Sequence, residues 1–346
     1  MARLKKIIKF LFIGFSFYCL INFITPFNSY LKNRSIENQI EYIQSKFEKG
    51  EDNVLQRRFP EGKVFGNALF ALSIIEYQNN STVTEKNTRY IDRAINELLS
   101  PASKSTFPEN LNPPYGSFYN GWVNFVLKSY IESSGFNESA IQKLVLEQHS
   151  ILTNNLVEAQ SDSLRLLESY HGSSWPADNL VAIASLPIEH DSLRKEWYNL
   201  LLSQSDDADT LIHHVTGQEA KVRGASQALM IYLTHSFDPE KAIEQNAHFN
   251  DRYVDSPLRI SLVREFPRGD KSGSDLDSGP LIFGYGSSAS IMNIKTQASL
   301  HNSTAKYSYG FYNMISMPYN LLGKKYHLFK KEIMFDIFML WGAVDI

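Results

Sequence analysis

V-R-E-F-P-R-G-D-K-S-G-S-D-L-D-S-G-P-L-I-F-G-Y-G-S-S-A-S, residues 263–290, is the stretch of the chain that decides the fold. It passes from an extended apolar segment through a loop of Gly, Ser and Asp into an apolar segment with small residues. Asp277 or Ser278 suits the N-cap of a helix, and Pro280 is tolerated in the first helical turn because its missing N–H is not needed there. The sequence therefore predicts a loop followed by a buried helix.

Charged residues crowd the same loop. Asp275 and Asp277 would lie at the positive end of the predicted helix, beside Arg264, Glu265 and Arg268. Charged groups next to a buried apolar segment are costly unless they are paired or used for chemistry. Two interpretations stay open: a capped helix with structural ion pairs, or the rim of a functional site. This loop is the best site candidate in the chain.

The composition excludes several classes of protein. The 346 residues carry a formal net charge of −3, which leaves no global basic surface for nucleic acid. Cys19 is the only cysteine, so the sequence excludes an intramolecular disulfide and a cysteine-based zinc site. No cofactor is expected.

The N-terminal residues predict a membrane anchor. Four Lys or Arg residues within the first nine precede residues 10–30, which contain no charged residue. This run is near the length needed to cross a bilayer, and no A-x-A-like cleavage site follows it. A cleaved signal peptide and a buried helix of a soluble protein are the alternatives. We expect an uncleaved signal anchor in residues 1–32 of a single-pass membrane protein, with residues 33–346 outside the cytoplasm as one domain.

A pattern of paired helices recurs along that domain. A loop with Gly, Pro or aromatic residues leads into an apolar helix with small residues, and a more charged, amphipathic helix follows. Apolar helices are buried whereas amphipathic ones face solvent, so six of each predict an all-α fold, an (α/α)6 toroid of helical hairpins. The predicted starts of the buried helices lie near residues 66, 120, 178, 224, 279 and 309.

Particular residues test this prediction. Ala182, Leu229, Ile282 and Phe283 should be buried. Residues 333–344 are too short to span a membrane and include an aspartate, so they should form a terminal helix that faces the core.

The alternation over residues 60–346 resembles the six-hairpin toroids of glycoside hydrolases and polysaccharide lyases. It also resembles the toroid of linalool dehydratase/isomerase-like proteins. Three stretches look like a family signature: R-G-A-S at residues 223–226, R-E-F-P-R-G at 264–269 and D-L-D-S-G-P at 275–280. The resemblance implies the architecture and a cleft at one end of the barrel, but no catalytic residue carries over from it.

The loops that lead into the buried helices of such a toroid meet at one end, where helix N-termini favour anionic groups. Asp178 follows Trp175 in W-P-A-D-N, and a carboxylic acid in a partly apolar pocket has a raised pKa that suits proton donation. We therefore predict that Asp178, Asp275 and Asp277 are catalytic and share one cleft, with helix capping as the structural alternative. The predicted substrate-binding residues in the same loops are Tyr119, Trp122, His171, Trp175, Arg223, Glu265 and Tyr285.

Two other motifs carry less. His213 and His214 are adjacent and lack an H-E-x-x-H spacing, so we expect no metal site. G-Y-G-S-S at residues 284–288 falls in the predicted helix and lacks G-K-[ST], so it is not a phosphate loop.

Three functions remain. The sequence favours a membrane-anchored extracytoplasmic hydrolase or lyase that acts on an oligosaccharide or small carbohydrate by carboxylate acid–base catalysis. The second is a dehydratase, isomerase or cyclase acting on an apolar lipid or isoprenoid. The third is a non-catalytic binding protein. Two carboxylates across an open groove favour the first function, an apolar cavity with one acid favours the second, and occluded ion-paired carboxylates favour the third.

Overall fold

The computed structural model describes residues 2–163, 165–203, 205, 222–270, 272–273, 281–328 and 332–346. These residues are mostly helical, which confirms the predicted helical class. The α-helices are α1 Ala2–Ile24, α2 Ser29–Phe47, α3 Glu51–Arg58, α4 Gly62–Asn79, α5 Glu85–Leu98, α6 Pro101–Lys104, α7 Gly116–Ile131, α8 Gln142–Ser163, α9 Pro176–Ser185, α10 Asp191–Leu202, α11 Gly224–His235, α12 Pro239–Tyr253, α13 Ser287–Ser299, α14 Thr304–Ile315 and α15 Ile333–Ala343.

Three short antiparallel hairpins interrupt the helices. Their strands are β1 Val254–Asp255 with β2 Leu262–Val263, β3 Leu281–Ile282 with β4 Tyr285–Gly286, and β5 Pro318–Leu321 with β6 Lys324–His327.

Helix α1 stands apart from the core. With the turn that follows it, this helix provides a stretch, Leu4–Phe27, that is long and apolar enough to cross a membrane. Its residues 4–17 are exposed, whereas Tyr18, Asn22 and Phe23 are half-buried against the rest of the chain. The helix therefore has a free N-terminal part and a docked C-terminal part.

Six helices carry most of the core: α4, α7, α9, α11, α13 and α15. These helices are rich in apolar and small residues, and burying such residues away from water is favourable on every side of the helix. Helix α4 contacts α7 and α15, α9 contacts α7 and α11, and α13 contacts α11 and α15. Small residues allow close approach, since a Cβ added to Gly121 of α7 would lie 2.9 Å from the backbone nitrogen of Ala182 in α9.

More polar helices cover these six. Helix α5 packs on α4, α8 on α7, α10 on α9, α12 on α11, α14 on α13, and α2 on α15. In α5 the apolar residues Ile91, Ile95 and Leu98 recur at helical spacing and are buried, while the charged residues of the helix lie towards solvent.

Four of the six predicted buried helices begin within a few residues of the expected positions. Ala182 is buried as predicted, whereas Leu229 is only half-buried. Residues 333–343 form α15, whose Ile337, Leu340 and Trp341 are buried, so the prediction of a terminal helix facing the core is confirmed.

The predicted fifth helix is wrong over its first described residues. Residues 281–286 form the β3–β4 hairpin, and the helix begins only at Ser287. The two turn residues, Phe283 and Gly284, have φ of 54° and 83°, a left-handed conformation that no helix contains. Ile282 and Phe283 are consequently 69% and 89% exposed rather than buried.

The sixth predicted start is also wrong. Residue 309 lies in α14, which packs on the outside of α13, and α15 provides the buried helix instead. The sequence pattern could not tell α14 from α15, because both helices are strongly apolar. Helix α14 is apolar on its outer face as well because α1 covers that face.

Candidate functional site

Asp178 lies in the first turn of α9. The preceding Trp175 is extended and Pro176 opens the helix, which suits its fixed φ. Asp178 as a whole residue is half-buried, with its carboxyl turned inward, and Oδ2 accepts a hydrogen bond of 2.5 Å from the hydroxyl of Ser169.

The loop before α9 is held by the N-terminus of α7. The backbone N–H of Ser117 donates to the carbonyl of Glu168 at 2.9 Å, and the hydroxyls of Ser117 and Ser169 lie 2.9 Å apart. Gly116 permits this approach, because its φ is +73° and a Cβ there would lie 2.8 Å from the carbonyl oxygen of Ser169. The hydroxyl that bonds Asp178 is therefore fixed by a neighbouring buried helix.

A second carboxylate, Glu61, lies at the entrance to α4. The hydroxyl of Tyr170 donates a hydrogen bond of 2.7 Å to its Oε1. Burial and this hydrogen bond raise the pKa of Tyr170. Tyr170 directly follows Ser169, so one loop contacts both acids. We call Glu61, Ser169, Tyr170 and Asp178 the Asp178 cluster.

The pKa of Asp178 is raised to about 7, chiefly because its carboxyl is buried. The negative charge of Glu61 raises this pKa further, whereas the hydrogen bond from Ser169 opposes the shift. Within the described residues no Lys or Arg forms an ion pair with Asp178 or Glu61. Asp178 can therefore hold a proton near neutral pH and release it to a substrate.

Aromatic rings surround the Asp178 cluster. The ring of Tyr170 stacks at 5.9 Å on Phe107 and meets Trp175 edge-on at 6.0 Å. Phe65 lies one helical turn after Glu61 on the same face of α4, and its ring is 6.2 Å from that of Phe118. Half-buried apolar side chains continue in the first two turns of α9, α11 and α15: Ala177, Ala225, Leu229, Met334 and Phe338.

Two predicted substrate-binding residues lie in the core. Tyr119 is buried and donates to the carbonyl of Leu98 at 3.1 Å. Trp122 is buried with its ring 4.9 Å from that of Phe65. Both were placed in a loop by sequence, but α7 begins at Gly116, which turns their side chains into the helix packing.

His171 and Trp175 are close to the Asp178 cluster. His171 is exposed, and its Nε2 lies 2.9 Å from Oδ1 of Asn110. Trp175 is half-buried beside Tyr170. The structure therefore brings three predicted residues together here: His171, Trp175 and Asp178.

Arg223, Glu265 and Tyr285 belong to a second group at the entrance to α11 and α13. Glu265 is buried, with Oε1 3.8 Å from Nη1 of Arg223, and its carbonyl accepts from the N–H of Gly224 at 2.8 Å. A Cβ on Gly286 would lie 3.0 Å from its Oε2.

The arginines expected beside the loop carboxylates bind another residue, Asp255. Its Oδ2 accepts from the hydroxyl of Tyr285 at 2.6 Å and from Arg264 at 3.1 Å, and its Oδ1 accepts from Arg268 at 2.7 Å. The hydrogen bond from Tyr285 and the two guanidinium charges lower the pKa of Asp255. Asp255 is thus a structural anion that holds the β3–β4 hairpin.

Asp275 and Asp277 lie outside the described residues, as do His213 and His214. The prediction that Asp275 and Asp277 share a cleft with Asp178 stays a prediction. Among the residues the structure describes, no group of three or more His, Cys, Asp or Glu side chains is placed to hold a metal ion.

A third polar group lies at the opposite ends of the buried helices. Lys295 is buried and binds Glu76 at 2.5 Å and also Asp345, while the hydroxyl of Tyr232 donates to Glu76 at 3.2 Å. Burial acts to lower the pKa of Lys295, but the charges of Asp345 and Glu76 outweigh it and raise that pKa. We call Glu76, Tyr232, Lys295 and Asp345 the Lys295 cluster.

Glu61 and Asp255 are functional or structural acids that sequence reasoning missed. Glu61 stands in F-P-E-G directly before a buried helix, a position equivalent to that of Asp178, and this equivalence was the available signal. No protein-family model matches the chain, and no curated protein matches its sequence. The function has to be inferred from the geometry of this site.

Proposed function

We propose that the six buried helices form an (α/α)6 toroid with the Asp178 cluster at its mouth. Neighbouring helices touch at equal depth, as expected for parallel helices. A Cβ added to Gly66 of α4 would lie 3.6 Å from Ile337 of α15, and a Cβ added to Gly342 of α15 would lie 3.2 Å from Ile294 of α13. Gly121 of α7 meets Ala182 of α9 in the same way. We call the first turns of these helices the rim; Glu61 and Asp178 both lie on it.

We propose that the protein is a membrane-anchored enzyme that uses Asp178 as a general acid and Glu61 as a general base. The observation that carries this is a protonatable Asp178 beside a second, differently placed carboxylate on one rim. Pairs of acids whose surroundings separate their pKa values supply the two proton transfers of an acid–base reaction. Tyr170 would orient Glu61 through its hydrogen bond.

The substrate class that the rim supports best is an apolar lipid or isoprenoid alcohol. The half-buried side chains on the rim are largely aromatic or aliphatic, and aromatic faces stabilise developing carbocations. In a dehydration, Asp178 would give its proton to the hydroxyl, which leaves as water. Glu61 would remove a proton from the adjacent carbon, and that C–H electron pair would form the new double bond.

A carbohydrate is the second candidate, favoured by a separate observation. A pocket of about 420 Å³ is lined in part by polar residues and by Phe107, the ring that stacks on Tyr170. Its lining residues are Leu99, Pro101, Lys104, Ser105, Phe107, Glu109 and Tyr115. In this function Asp178 would protonate a glycosidic oxygen and Glu61 would activate water or attack directly, depending on the carboxylate separation.

The location is part of the proposal. The basic residues at the N-terminal end of α1 favour a cytoplasmic N-terminus, with the helical domain on the other side of the membrane. Protease added to intact cells should then remove the domain. Complete protection before lysis would contradict this orientation.

Mass spectrometry can test the activity with the full chain in lipid vesicles. One panel contains isoprenoid and long-chain alcohols, for which loss of water is expected; the other contains oligosaccharides, for which gain of water is expected. Asp178→Asn and Glu61→Gln should each reduce turnover by roughly 100-fold or more, because each removes one proton transfer. Asp191→Asn, at an exposed ion pair of α10, is the control. Turnover unchanged in both rim variants would overturn the assignment.

A further inference from the structure

The direction of α1 relative to the domain follows from its contacts with α14. A Cβ on Gly310 would meet the carbonyl of Phe23 at 2.3 Å, and the side chain of Asn313 donates to the carbonyl of Asn22 at 2.9 Å. Further on, the hydroxyl of Tyr18 donates to the carbonyl of Pro318 at 2.5 Å. Residues later in α14 contact residues earlier in α1, so the two helices are antiparallel.

Helix α14 is also antiparallel to α13. The two are joined by only residues 300–303 and pack on each other. The hydroxyl of Tyr312 in the last turn of α14 lies close enough to Ser290 in the first turn of α13 for the serine hydroxyl to influence its pKa. Helix α13 therefore runs parallel to α1, and the rim faces the side from which α1 enters the domain.

The rim lies level with a residue inside Leu4–Phe27, the part of α1 and its following turn that could cross a membrane. Tyr18 precedes Phe27 by nine residues, about 14 Å of helix at 1.5 Å per residue. Leu4 to Phe17, the part below the domain, would span only about 21 Å, which is shorter than the hydrocarbon core of roughly 30 Å. If α1 crosses a bilayer, the end of the domain at the level of Tyr18 must meet the lipid.

That end of the domain exposes apolar side chains. Phe283 and Ile282 form the tip of the β3–β4 hairpin directly before α13, and Ile315 ends α14 near Pro318 and Tyr18. Two-residue turns with positive φ favour Asn, Asp or Gly, yet this one places an 89% exposed Phe there. Arg264, Arg268 and Asp255 bind the base of this hairpin on the side away from its tip, so the tip is held in place. An apolar tip on a rigid polar base suits a lipid surface rather than water.

We propose that the rim docks on the bilayer crossed by α1, with Ile282 and Phe283 inserted among the lipids. The mouth of the Asp178 cluster then opens towards the membrane, and an apolar substrate reaches it without crossing water. This docking surface depends on the proposed anchor but not on any activity.

Depth-dependent quenching tests the docking in the full chain. In a Cys19→Ser background, Phe283→Cys, Leu11→Cys and Ile188→Cys each carry one environment-sensitive fluorophore in phosphatidylcholine/phosphatidylglycerol vesicles with doxyl-labelled lipids. Ile188 is the matched control, since it is 77% exposed and follows the C-terminal end of α9, opposite the rim. The Phe283 label should lose roughly half its emission to a shallow quencher, as expected for a group about 5–10 Å into the interface. The Ile188 label should lose none.

Leu11, in the middle of α1, separates the two proposals. If a deep quencher affects Leu11 but neither quencher affects Phe283, the anchor stands and the docking surface is wrong. If Leu11 is not quenched, α1 does not cross the bilayer, and both the proposed anchor and the docking surface fall.

Discussion

The two ends of the buried helices solve the same electrostatic problem differently. Asp178 on the rim and Glu76 at the opposite end both have a pKa raised to about 7 by burial. Glu76 is bound by Lys295 and Tyr232, and Lys295 also binds Asp345. Asp178 instead faces a second acid, Glu61, and receives one neutral hydrogen bond. Both acids share the raised pKa, and what distinguishes Asp178 is the charge of a second acid and a single neutral hydrogen bond.

The largest expected change in stability is at the Lys295 cluster. Lys295→Met would leave two carboxylates in a buried position without a cation. Breaking a buried ion pair in this way costs about 3–5 kcal/mol of unfolding free energy. Chemical denaturation measures the loss, and the turnover of the remaining folded protein should be unchanged because the rim is untouched. A loss below about 1 kcal/mol would show that the Lys295 cluster is already hydrated.

A substitution at the rim should stabilise the protein instead of destabilising it. The raised pKa of Asp178 means that the folded state binds a proton that the unfolded state releases, so wild-type stability falls as pH rises from about 4 to above 7. Asp178→Asn removes this residue's share of the pH dependence and should stabilise the protein at pH 8 by at most about 4 kcal/mol. Denaturation at pH 5 and pH 8 measures both effects.

Glu76→Gln is the matched control for that change. Glu76 also has a pKa raised to about 7, but its two oxygens accept from different donors, Oε1 from Tyr232 and Oε2 from Lys295, so Gln keeps only one of the two acceptors. The same linkage predicts a gain at pH 8 from Glu76→Gln, but the lost acceptor offsets it, so the net stabilisation should be smaller than that of Asp178→Asn. If Asp178→Asn destabilises the protein at pH 8 while Glu76→Gln does not, Asp178 is a structural cap.

The smallest effect concerns the exposed hairpin tip. Asn adopts positive φ more readily than Phe, so Phe283→Asn should stabilise detergent-solubilised protein by about 0.5 kcal/mol. The same variant should lose part of its stabilisation by vesicles, because the apolar contact with lipid is gone. Calorimetry in both settings makes the comparison, and equal shifts in detergent and vesicles would argue against lipid contact.

Periodicity explains which parts of the fold could be predicted from the sequence. Helices α4, α7, α9 and α11 were found because apolar and small residues recur in them over many turns. The β3–β4 hairpin was missed because its tip is as apolar as a core helix, and only the left-handed φ of Phe283 distinguishes the two. No residue pattern announces that conformation.

The site was only partly predictable for a different reason. Asp178 was found because W-P-A-D-N marks a helix start next to an aromatic residue. Glu61 was missed because its pairing with Tyr170 joins residues 109 positions apart, and such a contact exists only after folding. Tyr119 and Trp122 were placed in a loop because P-P-Y-G was taken to end later than it does; α7 begins at Gly116.

The central claim is that burial and the charge of Glu61 raise the pKa of Asp178 to about 7, so that its carboxyl is protonated below neutral pH. Infrared difference spectra of wild type against Asp178→Asn, recorded across pH, report the protonated carboxyl of this residue directly and need no substrate. We predict that the signal persists at pH 6, disappears with a pKa of about 7, and shifts to lower pH in Glu61→Gln because the neighbouring negative charge is gone. An Asp178 already ionised at pH 5, or a titration that Glu61→Gln leaves unchanged, would contradict the account.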